Sequence, residues 1–186
     1  MTVALLIAMT LGVLASGVLF KEKRRSRVLK SFFRGILGFM RAIHELVWAW
    51  LFVAAIGLSP YAAVFALGIP YGGTLGRVFA DMLEDVPKEP ISSLESTGAN
   101  KLQVLFYGYL PTAKADMISY GMYRFECAIR SSTIMSFIGL GGLGYQIQMA
   151  LSDLSYSRVW TYLYFLILLV FLIDLWSNGI RKRETA

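Results

Sequence analysis

Cysteine and histidine are almost missing from this chain: Cys127 and His44 stand alone among 186 residues. An internal disulfide is therefore excluded, and so is a metal site built on clustered thiolates and imidazoles. Charge is scarce too, at 16% of residues against 56% hydrophobic ones, with a mean hydropathy of +0.59. Soluble domains carry about a quarter charged residues, so the natural solvent of most of this chain is lipid. No nucleophile has a neighbouring base, and no acids group with histidines to hold a metal. One histidine among scattered carboxylates argues against an intramembrane enzyme and predicts no cofactor.

What charge there is lies unevenly. Lys21, Lys23, Arg24, Arg25, Arg27, Lys30 and Arg34 face only Glu22 in their stretch, so that this segment alone equals the net charge of +6. A nucleic-acid surface needs a basic face with stacking aromatics on a folded domain, whereas this is one short run between apolar segments, as in a cytoplasmic loop. The basic cluster follows the first apolar run instead of preceding it, which argues against a cleaved signal peptide.

Crossing a hydrocarbon layer of about 30 Å takes about 20 mostly apolar residues as a helix. Five runs qualify: Thr2 to Phe20, Ile36 to Leu58, Tyr61 to Ala80, Met117 to Gly139 and Trp160 to Ser177. They are too long and too continuously apolar for barrel strands, so the expected class is an all-α membrane protein, a single domain over 1–186 with about five transmembrane helices. The basic residues segregate. Lys21 to Arg34, Lys88, Lys101, Lys114 and Arg181-Lys182-Arg183 fall on one side, while Ser59-Pro60 and Gly141 to Ser157 carry no Lys or Arg. The positive-inside rule then puts the N-terminus outside and the C-terminus in the cytoplasm. Residues 81–116 become one long cytoplasmic loop, too polar to span and suited to docking a partner. Gly139, Gly141 and Gly144 match G-x-G-x-x-G, but no strand precedes them, so helix-bending glycines are the better account. Tyr145 to Trp160 is expected to form an external re-entrant or interfacial helix.

The long loop holds Pro90-Ile-Ser-Ser-Leu-Glu95-Ser-Thr-Gly98 and continues to Leu110-Pro111. A short helix over Ser92 to Thr97, a turn that needs glycine at Gly98, and a second helix over Ala99 to Tyr109 ending before Pro111 would make a rigid lever. Leu94, Leu102, Leu105 and Phe106 would insert into a partner's groove. An amphipathic loop helix with a glycine C-cap is the plainer alternative.

The segment resembles the coupling loop of ABC importer permeases, with Gly98, Leu110 and Pro111 where that pattern requires them. Ser92 stands where the family usually has glutamate and Ser93 where it has alanine, leaving Glu95 as the nearest acid. Arg41-Ala-Ile-His44-Glu45-Leu-Val-Trp-Ala resembles the phosphonate-type signature, with His44 in place of a proline. Tyr123-Arg-Phe-Glu126-Cys-Ala-Ile-Arg130, then Gly139 to Gly144, then Ile173-Asp174 with Ser177 and Arg181 resemble the same subfamily in the same order. The resemblance implies the importer permease fold in the bacterial inner membrane, without ATP hydrolysis of its own. It implies import of phosphonate or a related phosphorus oxyanion, a second permease copy, two ATPase subunits and an external substrate-binding protein. It assigns ATPase coupling to Ser92, Leu94, Glu95, Gly98, Leu102, Leu110 and Pro111. Members commonly carry a further N-terminal span with no counterpart here. The competing readings are a permease for another small solute, or a channel or scaffold.

Ionisable residues inside a span must be paired, near an interface or facing water. Arg41 with Glu45, Glu126 with Arg130, and Arg77 with Asp81 are four apart, so each pair is expected to meet on one helical face. Arg41, Glu45, Arg124, Glu126 and Arg130 are the pathway candidates, with Arg124 and Arg130 suited to an anion. His44 is read as polar packing or a pathway residue, and Asp174 as pairing locally near Arg181.

Overall fold

The structure, a computed structural model, describes residues 1–20 and 24–184. Lys21, Glu22 and Lys23 of the basic run lie outside the described residues. All elements among the described residues are helical.

An uninterrupted apolar run forms α1 (Thr2–Ser16), which Gly17 closes in the left-handed conformation at φ 78°, where glycine carries no Cβ penalty. At 15 residues α1 is about 22 Å long, shorter than the expected run Thr2 to Phe20. The second expected span, Ile36 to Leu58, is not one helix. It divides into α2 (Arg24–Ala42) and α3 (Glu45–Ile56), with an 85° bend between them. His44 is extended there, at φ −62° and ψ 144°, and its Nδ1 accepts a hydrogen bond from the Leu46 N–H at 3.3 Å. The imidazole is thus a helix cap that satisfies an amide freed by the break.

The central helix is α4 (Pro60–Glu84), which packs against α1, α2, α3 and the later α7. Ser59 caps it, accepting from the Tyr61 N–H at 3.3 Å, and Pro60 starts it where the missing N–H costs nothing. Gly68, Gly72 and Gly76 form a stripe four residues apart that faces Val3, Ala4, Ile7, Ala8 and Gly12 of α1. The order of these contacts makes the two helices parallel. Approach is close: a Cβ on Gly12 would lie 2.9 Å from the Gly76 carbonyl oxygen, and one on Gly72 would lie 2.9 Å from Ile7. In lipid, where apolar burial gives little drive for association, such small-residue contact is what holds helices together. On another side, α2 runs antiparallel, with Leu37 and Met40 against Gly73 and Lys30 against Glu84.

Two short helices follow α4: α5 (Lys88–Ser96) and α6 (Lys101–Val104). From α6 the chain runs as one helix, Lys101–Leu140, through a π-helical turn at Leu105–Tyr109, then α7 (Leu110–Met135), then a second π turn at Ser136–Leu140. Gly139, Gly141 and Gly142 take φ of 95°, 80° and 99°, and the chain bends by 52° into α8 (Leu143–Ser152). The glycine-rich stretch therefore ends and bends a helix, with no strand among the described residues. The last helix is α9 (Tyr156–Glu184). It touches α8 at one end through Val159, Tyr162 and Leu163 and α7 at the other through Trp176 and Arg181. Between these ends Phe165, Leu168 and Leu172 are exposed. By length and apolarity, α4 and α9 can each cross a membrane alone, and the described residues offer up to four crossings if each bent pair counts as one.

One core cluster runs from Ala4 and Ala8 through Tyr71, Leu75, Phe79 and Leu83 into Val86, Ile91 and Val104. The helical loop after α4 is therefore an extension of the bundle, tied to it by continuous apolar packing.

Candidate functional site

Two places carry the chemistry: the elbow between α5 and α6, and a polar face formed by α3, α4 and α7.

In the elbow, Pro87 leads into α5, and Gly98 turns the chain at φ 83°. Nothing lies within 4 Å of a Cβ built on Gly98, so glycine is required by backbone conformation and not by crowding. The Gln103 side chain accepts from the Asn100 N–H at 2.8 Å, restarting the helix with a capping box. Glu95 pairs with Lys101 across the turn. Ser92 Oγ donates to the Glu89 carbonyl at 2.9 Å and Ser96 Oγ to the Ser92 carbonyl at 2.7 Å. The serine at the position where acid was expected is thus satisfied within α5.

Two expectations fail here. Leu105 does not face outward: with Ile91 and Val104 it is buried, and a Cβ on Gly108 would sit 2.7 Å from Ile91 Cδ1. Nor does the helix stop before Pro111. The Leu110 N–H bonds to the Leu105 carbonyl, five residues back, and this π turn absorbs a residue that cannot donate and would clash in a regular helix. Leu110 and Pro111 therefore lie in the helix that anchors the elbow. Leu102, Phe106 and Tyr107 are exposed, Tyr107 at 77%. Leu94, half-buried, shares a shallow hollow of about 320 Å³ with Thr97, Gly98, Ala99, Gln103 and Tyr107.

Ahead of the elbow, ion pairs join the adjoining ends of α2 and α4. Lys30 meets Glu84 at 2.7 Å, Arg34 meets Asp81 at 2.9 Å and also Glu84, and Arg77 meets Asp81 at 3.1 Å. The expected Arg77–Asp81 pair is present. Sequence spacing revealed only its local half, because Arg34 arrives from another helix.

The polar face is organised on α7. Tyr120, Arg124, Cys127 and Ser131 recur at three- and four-residue steps along it, the spacing of one helical face. Ser131 Oγ donates to Glu45 Oε1 at 2.6 Å and lies 2.9 Å from Tyr71 Oη. With the serine proton given to the carboxylate, the tyrosine donates to Ser131. This chain joins α4, α7 and the first turn of α3, where a carboxylate also suits the helix dipole. Arg124 Nε donates to Tyr120 Oη at 2.9 Å, and its guanidinium carbon lies 5.4 Å and 6.0 Å from the Tyr120 and Tyr123 ring centroids.

The other expected pairs are rearranged. The bend at His44 separates Arg41 from Glu45, so they share no helical face, and Glu45 takes Ser131 instead. Glu126 pairs not with Arg130 but with Arg181 of α9, at 2.9 Å, and is only 7% exposed. Arg181 also donates to Asn178 at 2.6 Å. Arg41 and Arg130 are exposed. Tyr71, which no motif marked, is found only through its packing against α7.

The family described as binding-protein-dependent transport system inner membrane component matches residues 8–185 of this chain. The chain belongs to that family. This inner membrane component is 33% identical over 149 residues to the phosphite transport system permease protein PtxC of Stutzerimonas stutzeri, covering 80% of this chain and 54% of that one. It is 32% identical over 144 residues to the phosphate-import permease protein PhnE of Mycolicibacterium smegmatis, covering 77% and 27% respectively. It therefore spans about half the first relative's length and about a quarter of the second's. Among solved structures, the inward-facing methionine ABC transporter MetNI superposes with a TM-score of 0.81 at 20% identity, covering 100% of this chain and 89% of that one. An amino acid ABC transporter superposes with a TM-score of 0.74 at 16% identity. The inner membrane component thus has the importer permease fold, all-helical and multi-pass.

Proposed function

We propose that the chain is the membrane-spanning permease subunit of an ATP-driven importer that moves phosphonate or a related phosphorus oxyanion into the cytoplasm. The observation that carries this reading is the elbow: in a member of a transport family, an exposed two-helix lever is fixed by continuous core packing to the central helix of the bundle. Such a lever transmits motion only if it is stiff, and Gly98, the Asn100–Gln103 box and the π turn make it so. ATP hydrolysis belongs to two cytoplasmic ATPase subunits that dock on Ser92, Leu94, Glu95, Gly98 and Leu102, with Leu110 and Pro111 holding the lever from behind. A second permease copy and an external binding protein complete the assembly. Lys30, Arg34 and the elbow share one end of the bundle, opposite Ser59-Pro60, which supports the elbow end as cytoplasmic and the N-terminus as outside.

The pathway candidates are Arg41, Glu45, Arg124 and Arg130, charges on faces that lipid would penalise. Glu126 is withdrawn from them, because its pairing with Arg181 gives it a bracing role between α7 and α9. The phosphorus oxyanion is favoured by the phosphite and phosphate systems in which relatives are named and by the arginines among these candidates. The test is reconstitution of the chain with its ATPase and binding protein in proteoliposomes. ATP-dependent uptake of phosphite or methylphosphonate is the expected result; uptake of neither, with another solute carried, would assign a different importer.

A further inference from the structure

We infer that Arg124, held by Tyr120 and Tyr123, is a docking station for the travelling oxyanion on the membrane-embedded face of α7. The inference rests on the permease reading and names one residue within it. Arg34, Arg77 and Arg181 each meet a carboxylate. Arg124 does not: among the described residues its one hydrogen bond is from Nε to the Tyr120 hydroxyl. Neither Nη group has an acceptor there. Two aromatic faces hold the guanidinium by cation–π attraction without consuming its charge.

The position matters. Arg124 lies seven residues from Ser131, or about 10 Å along the helix, and Ser131 meets Tyr71 near the middle of α4. A cation at that depth needs a counter-charge, water or a protein partner. Glu45, the carboxylate tied to this face, accepts from Ser131, itself bonded to Tyr71, and makes no ion pair with Arg124. What remains is a planar pair of Nη groups with an anchored Nε edge, a geometry matched to two oxygens of a tetrahedral oxyanion. Because the Tyr120 oxygen accepts from Arg124, its own proton is left to donate to the same anion. Half-exposure of Arg124 lets an anion leave again, as transport requires of any intermediate site. Arg130, six residues on, sits about 120° around the helix from Arg124, is exposed and has no aromatic clamp.

The test uses the assembled transporter in proteoliposomes, with phosphite and methylphosphonate as the probes and with Arg124→Met, Arg124→Lys and Tyr120→Phe as variants. Losing a charge-assisted bond of this kind predicts a fall of about 10- to 100-fold in maximal uptake rate for Arg124→Met. The half-saturation concentration stays unchanged, because the external binding protein sets it. Arg124→Lys, which keeps the charge but loses the planar fork, recovers only part of the rate, and Tyr120→Phe lowers it by a smaller factor. If the parent protein carries neither probe, the substrate reading itself fails. If it carries them and Arg124→Met keeps its rate within about twofold, the station is wrong. A loss in Arg124→Met that Lys does not rescue, or that accompanies loss of ATPase copurification, assigns the residue to packing and equally overturns the inference.

Discussion

The Glu126 carboxylate accepts a hydrogen bond from Arg181 Nη2 at 2.9 Å, joining α7 to the C-terminal part of α9 across 55 residues of sequence. The Phe125–Trp176 edge contact lies beside it, with ring centroids 6.3 Å apart. These contacts fix an otherwise sparsely packed α9. Removing the acid takes away this charge-assisted contact between α7 and α9, at a cost of about 1.5–3 kcal/mol. Glu126→Ala is therefore expected to lower the thermal midpoint of the purified protein, and Glu126→Gln to lower it less. The double variant Glu126→Gln/Arg181→Gln should lose less than the two single changes together; strict additivity would show that the pair is not coupled.

Gly98 gives a sharper test of the lever. A β-branched residue at φ 83° is strained by about 1–3 kcal/mol, and open space around the site offers no compensating contact. Gly98→Val is expected to insert in membranes normally yet to copurify poorly with the ATPase, whereas Gly98→Asn, which tolerates that conformation, retains most of it. Normal coupling of transport to hydrolysis in Gly98→Val would remove the elbow from the transmission path.

The α1–α4 seam predicts a size effect. Gly72→Leu forces a side chain into Ile7 and the Ala4 carbonyl, an overpacking that costs about 1–3 kcal/mol. Gly121→Ala, where nothing lies within 4 Å of the added Cβ, is the matched control. Detergent-solubilised Gly72→Leu should aggregate at lower temperature than the parent, and Gly121→Ala should not.

Orientation is testable by cysteine accessibility in intact cells, in a Cys127→Ala background. Ser59→Cys is expected to react with a membrane-impermeant maleimide and Lys101→Cys to remain protected, because the basic residues collect at the elbow end. The opposite pattern inverts the topology.

Much of this was legible in the residues. Gly98 announced its turn, Ser59-Pro60 the connection between two apolar runs, and Arg77 with Asp81 its four-residue pair, because each depends on neighbours within one helical turn. The same local logic misled at Arg41 and Glu45. Their spacing suits a straight helix, but the backbone becomes extended at His44 and puts them on different helices. Leu105 failed because α5 folds back and buries it with Ile91 and Val104, and Pro111 because the π turn before it accommodates a residue that single-residue propensity would read as a stop.

The sequence by itself determined the solvent of this protein, its helical class and the position of its elbow, since apolar run length, charge segregation and a required positive φ are properties of short segments. Only the tertiary structure decided which charges are spent and which remain available. Glu126 could have met Arg130 on its own helix, and Glu45 could have met Arg41. The packing of α9 brought Arg181 to the first, and the bend before α3 brought Ser131 to the second. Ion pairing in a membrane depends on which helix faces come together, and that is set by close packing between segments far apart in the chain.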